Sequence, residues 1–308
     1  MTASVVVLGS FMMDLVIRAP RRPRPGETLV GTSLEEYFGG KGCNQAVAAA
    51  RAGASTAMVG RLGDDDYGRR FLDLLRREGI DADGVITDPT EGTGVGAPLV
   101  EDSGDNSIVI IPRANAQVGP ADVEAAARVI AGAKVLLLQL ELPVAAVVAA
   151  ARCARAAGVT IVLNPAPAAA DLSAFEGLVD VLVPNEGEAA MLTGLDDPLA
   201  AARELQRRFG CAVLVTLGEQ GSLVLQADGT HEVLAAHQVL AVDTVGAGDA
   251  YCGSLGARLA AGDPLLEAAR YAGAAASLSV TRPGAEPSIP TAAEVLAVLG
   301  EVAAAPGA

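Results

Sequence analysis

Tryptophan is absent from the 308 residues and aromatic side chains make up only 3%, so the chain has no stacking platform for exposed bases. Positive charge is scarce as well. The 22 Lys and Arg are outnumbered by 37 Asp and Glu, and the formal net charge of −15 makes nucleic acid and anionic membrane surfaces poor partners. Lysine occurs only at positions 41 and 134. Cys43, Cys153, Cys211 and Cys252 are widely scattered with no Cys-x-x-Cys pair, and only His231 and His237 accompany them, so neither a zinc site nor a disulfide framework is expected. Apolar runs such as Val135–Leu138 and Val144–Ala151 stop too early to span a bilayer, and no basic segment precedes Ser4-Val-Val-Val-Leu-Gly9. The expectation is a cytoplasmic protein in which any phosphate is held locally, by backbone N–H groups, a metal ion and a few basic side chains.

What the chain has is small and apolar: Ala, Val, Leu and Gly dominate, as in helices packed tightly on a sheet. After residue 40, short β-branched runs alternate with Ala/Leu/Arg-rich helical runs, the rhythm of a parallel α/β sheet. Strands are expected at Ser4–Leu8, Ser55–Val59, Val135–Gln139, Val159–Leu163, Val179–Val183 and Ala212–Thr216. Helices are expected at Asn44–Ala52, Tyr67–Glu78, Pro120–Ala131, Pro143–Ala157, Pro198–Phe209, Ala247–Ala261 and Pro264–Ser279, several of them opening on proline at the first helical position. The Ala-rich tail after Thr291 reads as a surface helix with a frayed end. Two stretches break the rhythm. Leu15–Phe38 passes through an Arg/Pro-rich run into an extended Glu27–Thr32, and Thr93–Pro112 reads as two strands around an Asp102–Asp105 turn. One domain over residues 1–308 is expected, with these inserted segments, about 11–38 and 90–114, forming a small β-sheet lid. Arg18, Arg21, Arg22 and Arg24, interleaved with prolines, are read as a solvated loop.

The run Asp243-Thr-Val-Gly246-Ala247-Gly248-Asp249 places a glycine-bracketed turn at a helix start, where free N–H groups and the helix dipole favour an anion. A carboxylate there repels that anion unless it takes a proton from the nucleophile that attacks it; the alternative is an Asp in an ordinary first-turn position. Ligands of open parallel sheets gather beyond the C-terminal strand ends, and Asp14, Glu141, Asn164, Asn185, Glu188 and Thr216 to Gly221 follow such strands. Gly39-Gly40-Lys41-Gly42-Cys-Asn44 is a second glycine-rich helix entry. It is not a Walker A loop, since Gly42 stands where Ser or Thr would follow the lysine.

Taken together, Gly39-Gly-Lys-Gly-x-Asn44, Asn164-Pro-Ala-Pro167, Pro184-Asn-Glu-x-Glu188, Thr216-Leu-Gly-x-x-Gly221 and Asp243-Thr-x-Gly-Ala-Gly-Asp249 resemble, in this order and spacing, the PfkB group of carbohydrate kinases, the ribokinase family. The resemblance runs from about residue 5 to Pro290. It implies a doubly wound, mostly parallel α/β sheet with helices on both faces and a β lid that often serves as a homodimer interface. It implies an ATP-dependent sugar kinase in which Asp249 is the general base and Gly246, Ala247 and Gly248 form the anion hole. Asp14, Gly40, Lys41, Asn44 and Glu141 would hold the sugar hydroxyls. Asn185 and Thr216-Leu217-Gly218-Glu219-Gln220-Gly221 would line the ATP site together with Gly248 and Asp249, with Glu188 acting indirectly on Mg2+. A K+ ion would sit on the side chains of Asp243 and Ser288 and the carbonyls of Val245, Ser279, Arg282 and Gly284.

Within the group, Gln139-Leu-Glu141, Asn164–Pro167 and Thr281–Ser288 are most similar to the branch that phosphorylates D-ribose at O5; other sugars (a deoxypentose, a ketohexose) or a nucleoside remain alternatives. A non-catalytic sugar or nucleotide sensor would gain nothing from Asp249, and a Rossmann dehydrogenase would need Gly-x-Gly-x-x-Gly after the first strand. Two departures stand out. Met12 replaces an Asn common two residues before the diol-binding Asp and cannot hydrogen-bond a hydroxyl, and Gly273 replaces a His that can flank the adenine.

Overall fold

Val5-Val-Val-Leu8 can be apolar at every position only if the strand it forms is covered on both faces, and strand β1 (Val5–Leu8) is buried throughout. The computed structural model describes residues 3–168 and 171–304. β1 lies within a nine-stranded sheet that runs from β13 (His231–Leu234) through β12 (Ser222–Leu225), β11 (Ala212–Thr216), β10 (Val181–Leu182), β9 (Thr160–Leu163), β8 (Val135–Leu138), β1 and β4 (Thr56–Gly63) to β5 (Asp81–Asp88). Pairing is parallel from β11 to β5, and β12 and β13 extend it antiparallel.

Alternation along β1 divides the core. Val6 and Leu8 face α3 (Pro120–Ala125), α4 (Ala127–Ala131), α5 (Val144–Ala156), α6 (Glu186–Thr193) and α7 (Pro198–Phe209). Val5 and Val7 face α1 (Lys41–Arg51), α2 (Asp66–Arg77), α8 (Ala247–Ala261) and α9 (Leu265–Ser279). α10 (Ala292–Ala304) packs Val295 against Tyr271 of α9. Helices on both faces of a mostly parallel sheet make the molecule doubly wound, as expected.

The two segments that broke the rhythm form a separate four-stranded sheet, β3 (Ser33–Gly39), β2 (Met12–Ala19), β6 (Gly94–Glu101) and β7 (Asn106–Ile111), in that order. Its register assigns the faces. Met12, Asp14, Gly94, Gly96 and Ile110 share one side, and Ile17, Leu34, Val109 and Ile111 the other. The sheet is anchored at its root by Asn115, whose Oδ1 accepts from the Phe11 N–H at 3.0 Å while its Nδ2 donates to the Phe11 carbonyl at 2.7 Å.

Several expectations are corrected. The helix expected over Pro120–Ala131 is broken at Ala126 (φ −88°, ψ 3°), for which the local sequence offers no reason. Glu27–Thr32 is not a strand; β3 begins at Ser33, where the pairing with Arg18 of β2 begins. Arg18 lies in β2 and not in a loop; the rest of the arginine run is exposed, with Arg21 paired to Glu27 and Arg22 to Glu101. β5, the β12–β13 hairpin and α6 were not anticipated. The tail helix is present as α10, and the frayed end expected beyond it lies outside the described residues. No described helix is long and apolar enough to cross a membrane, and the four cysteines are free thiols.

Candidate active site

At the start of α8, Gly246 takes the left-handed conformation (φ 79°) and lies so close to Ala285 that a Cβ would be 3.0 Å from its Cα. This turn presents the first amides of the helix. The Ala247 N–H donates to the Thr244 carbonyl at 3.3 Å, whereas the amides of Gly246, Gly248 and Asp249 have no acceptor among the described residues. They border a cavity of about 200 Å³ lined also by Lys41, Asn164, Asn185, Glu188 and Cys252, with the Asp249 side chain in its wall. Free amides at the positive end of a 15-residue helix suit an anion.

Both Asp249 carboxylate oxygens are held from α1. Asn44 Nδ2 donates to Oδ2 at 3.0 Å and Gln45 Nε2 to Oδ1 at 3.1 Å. The helices come this close because Gly253 stands where they cross; a Cβ there would lie 2.4 Å from the Gln45 carbonyl oxygen. Asn44 Oδ1 is buried without a partner among the described residues, a free acceptor in the site. Gln45 was not singled out from the sequence. The signal was there: Asn44-Gln45 is a polar pair in a helix that is otherwise apolar at its buried positions.

Asp14 projects from the root of β2 between two glycines. A Cβ at Gly39 would fall 2.1 Å from its Oδ2 and one at Gly96 2.2 Å from its Oδ1, so only glycine leaves room for the carboxylate. Burial, then Glu141 and then Asp249 push its pKa from 3.8 up to about 7. Glu141 is fixed at the end of β8, where its Oε2 accepts from Ser10 Oγ and from the Lys41 N–H at 2.9 Å. Lys41 begins α1, against the helix dipole. Burial works against its charge, but Asp249, Glu141 and Glu188 outweigh it and hold the pKa above the ordinary lysine value.

The small cavity adjoins one of about 1110 Å³ lined by Asn185, Thr216, Leu217, Gly218, Glu219 and Gly221, by the 234–241 segment and by α9 at Arg270, Gly273 and Ala276. Gln220 is the member of the predicted loop that does not line it. A Cβ at Gly273 would meet nothing within 4 Å, so this wall is open. Asn185 and Glu188 cap α6 reciprocally. Asn185 Oδ1 accepts from the Glu188 N–H at 2.7 Å and Glu188 Oε2 from the Asn185 N–H at 2.8 Å. Burial raises the Glu188 pKa despite its bond from Asn185 and the nearby Lys41.

Beside the α8 turn, Asp243 Oδ1 accepts from the Val245 N–H at 3.0 Å and Oδ2 from the Gly284 N–H at 2.9 Å, tying the anion turn to the 280–288 loop. Ser288 Oγ is buried and donates to the Ala285 carbonyl at 2.8 Å, and the Ser279 carbonyl accepts from the Arg282 N–H at 3.2 Å. No group of three or more His, Cys, Asp or Glu able to hold a metal exists among the described residues.

Comparison with known proteins identifies the family. Residues 2–292 match the pfkB family carbohydrate kinase model. The chain is 38% identical over 304 residues to a ribokinase of Haemophilus influenzae, covering 97% of this chain and 99% of that one. It is 35% identical over 293 residues to a deoxyribokinase of Salmonella typhi, covering 93% and 95%. The structure of an Arabidopsis thaliana ribokinase complexed with ribose and ATP superposes with a TM-score of 0.90 at 31% identity, over 97% of this chain and 99% of that one.

Proposed function

We propose, for a chain that belongs to the pfkB family of carbohydrate kinases, the ATP-dependent phosphorylation of D-ribose at O5. The observation that carries the reading is the position of Asp249: at the head of α8, lining the small cavity that adjoins the nucleotide-sized cleft, and near enough to Asp14 for its charge to bear on that carboxyl. Asp14, Gly40, Lys41, Asn44 and Glu141 hold the sugar, with its primary hydroxyl toward Asp249. Asp249 takes the O5 proton as O5 bonds to the γ-phosphorus and the bond to the β–γ bridging oxygen breaks, releasing ADP. Charge growing on the phosphoryl oxygens is met by the amides around Gly246–Gly248 and by Lys41.

Mg2+, held by nucleotide phosphates and water with Glu188 acting at a distance, would neutralise phosphate charge. K+ fits the Asp243–Ser288 region by donor chemistry, since a carboxylate, a hydroxyl and carbonyls are all hard oxygen ligands. The four-stranded sheet serves as the lid of a single domain and as a homodimer interface, and the acidic net charge supports the absence of nucleic-acid and membrane partners. A 2-deoxypentose is the second reading, favoured by apolar Met12 on the face of the lid that carries Asp14.

ADP release over a panel of pentoses, hexoses and nucleosides tests the assignment. D-ribose is expected to give the highest kcat/KM, and Asp249→Asn to lower turnover by about 10² to 10⁴ while retaining sugar binding. No sugar-dependent ADP release, or near-parental turnover in Asp249→Asn, defeats it.

A further inference from the structure

Beneath the base runs a line of side-chain amides that the reaction as written does not use. Gln139 Nε2 donates to Gln45 Oε1 at 2.7 Å, and Gln45 Nε2 donates to Asp249 Oδ1 at 3.1 Å, with Asn164 Oδ1 at 3.4 Å as a further acceptor. Asn164 is itself tied down, its Nδ2 donating to the Val183 carbonyl at 2.8 Å. Gln45 and Gln139 are each 1% exposed, in surroundings where an apolar side chain would avoid the desolvation of an amide. The fold also makes room for them: a Cβ on Gly9 would lie 2.5 Å from Gln139 Oε1.

The line has a direction, because each amide that accepts from the one behind donates to the one ahead, and it ends on the carboxylate. Such a sequence polarises the terminal N–H and strengthens its bond to the anion. Asn44 occupies the other carboxylate oxygen, so the plane of Asp249 is fixed from two sides and its remaining lone pairs are left for the substrate proton.

We infer that Gln45, held by Gln139, is a positioning residue that sets the orientation of Asp249 for proton abstraction. This rests on the assignment of Asp249 as the base. Orientation errors at a reacting group lower turnover without weakening distant binding, so Gln45→Leu should reduce kcat by about 10- to 100-fold with KM for ATP unchanged. Gln139→Leu should reduce kcat less, and should add nothing in the Gln45→Leu background, since it acts through Gln45. Gln45→Glu keeps the oxygen that accepts from Gln139 but turns a carboxylate oxygen toward Asp249; it should be at least as impaired as Gln45→Leu and decides the matter if Gln45→Leu does not fold.

The measurements are steady-state kinetics of the full chain with ribose and ATP, with ADP affinity and melting temperature as checks on folding and Asp249→Asn alongside. Parental kcat in Gln45→Leu or Gln45→Glu, with turnover lost in Asp249→Asn, overturns the inference and leaves the base standing. Turnover retained in Asp249→Asn overturns the base itself. Equal losses from Gln139→Leu in the parent and Gln45→Leu backgrounds overturn the dependence on Gln139.

Discussion

Asp14 is held in a conflict that its ligand would relieve. Burial beside Glu141 and Asp249 raises its pKa from 3.8 to about 7, so the folded protein binds a proton there that the unfolded chain releases. The unfolded state then carries fewer protons between these values, and stability falls as pH rises from about 4 to about 7 and stays lower above. Asp14→Asn removes this contribution. In melting experiments without sugar, the variant should gain stability over the parent near pH 8 and lose that advantage toward pH 4; an offset that does not change with pH contradicts the assignment. Met12 poses the opposite question. Its buried sulfur is so close to Gly94 that a Cβ there would lie 3.0 Å from it, on the Asp14 face of the lid. With no donor or acceptor at this point, the preference for ribose over 2-deoxyribose in kcat/KM is left to Asp14 and should be narrow. Met12→Asn should shift the ratio toward ribose by about 1 to 3 kcal/mol. An unchanged ratio means that Met12 does not meet the sugar. At this scale the sequence was readable where a residue type was anomalous for its place, as with Asp249 in an anion turn and Lys41 between glycines. Gln45 was marked as a polar residue among buried apolar ones, but its partners, like that of Ser10, were not legible, because Asp249, Gln139 and Glu141 lie more than 90 positions away and only the fold brings them together.

Among the elements, α7 and α8 lie where the sequence places them because each has a sharp stop, Gly210 and Gly262 in the left-handed conformation, and α7 also has a strong start in Asp197 and Pro198. The elements missed are those with weak periodicity. β5 is an edge strand with the polar sequence Asp-Ala-Asp-Gly, and α6 has only eight residues. Yet α6 carries the Asn185-x-x-Glu188 capping box in plain view, and its boundary was recoverable from that alone. At this scale, turnover is tested at the junction of the α8 turn with the 280–288 loop. Asp243 accepts from amides on both sides of that junction, so a cation bound to it and the nearby carbonyls would stiffen the free amides at Gly246 and Gly248. The benefit should appear in kcat more than in either KM, because it preorganises the anion hole without touching either substrate. Initial rates in potassium should exceed those in an equal concentration of tetramethylammonium, which holds ionic strength constant; equal rates exclude a functional site there.

For the molecule as a whole, the main sheet buries its apolar strands under helices on both faces, while the lid sheet meets α2 at its root, through Phe38 against Phe71 and Glu36 paired to Arg70, and is exposed farther out. Its register gathers Ile17, Leu34, Val109 and Ile111 on the face away from Asp14, and they are 38%, 63%, 63% and 52% exposed, values that mark an uncovered apolar surface. β7 is also an edge strand, and Ile108 to Ile111 offers an unbroken apolar run beside unpaired backbone groups, a surface that a stable monomer would blunt with charge or proline. A second copy of the chain brings the same face and can cover both lids at once. Sedimentation of the parent should therefore show a dimer, and Val109→Lys with Leu34→Lys, both outside the substrate-facing side, should give monomers. Because Asp14 and Met12 stand on β2 of the same sheet, a lid loosened in this way should raise KM for the sugar more than KM for ATP. A parent that sediments as a monomer at assay concentrations, or charged variants that remain dimeric, would place the interface elsewhere and leave the lid to close over the sugar unaided.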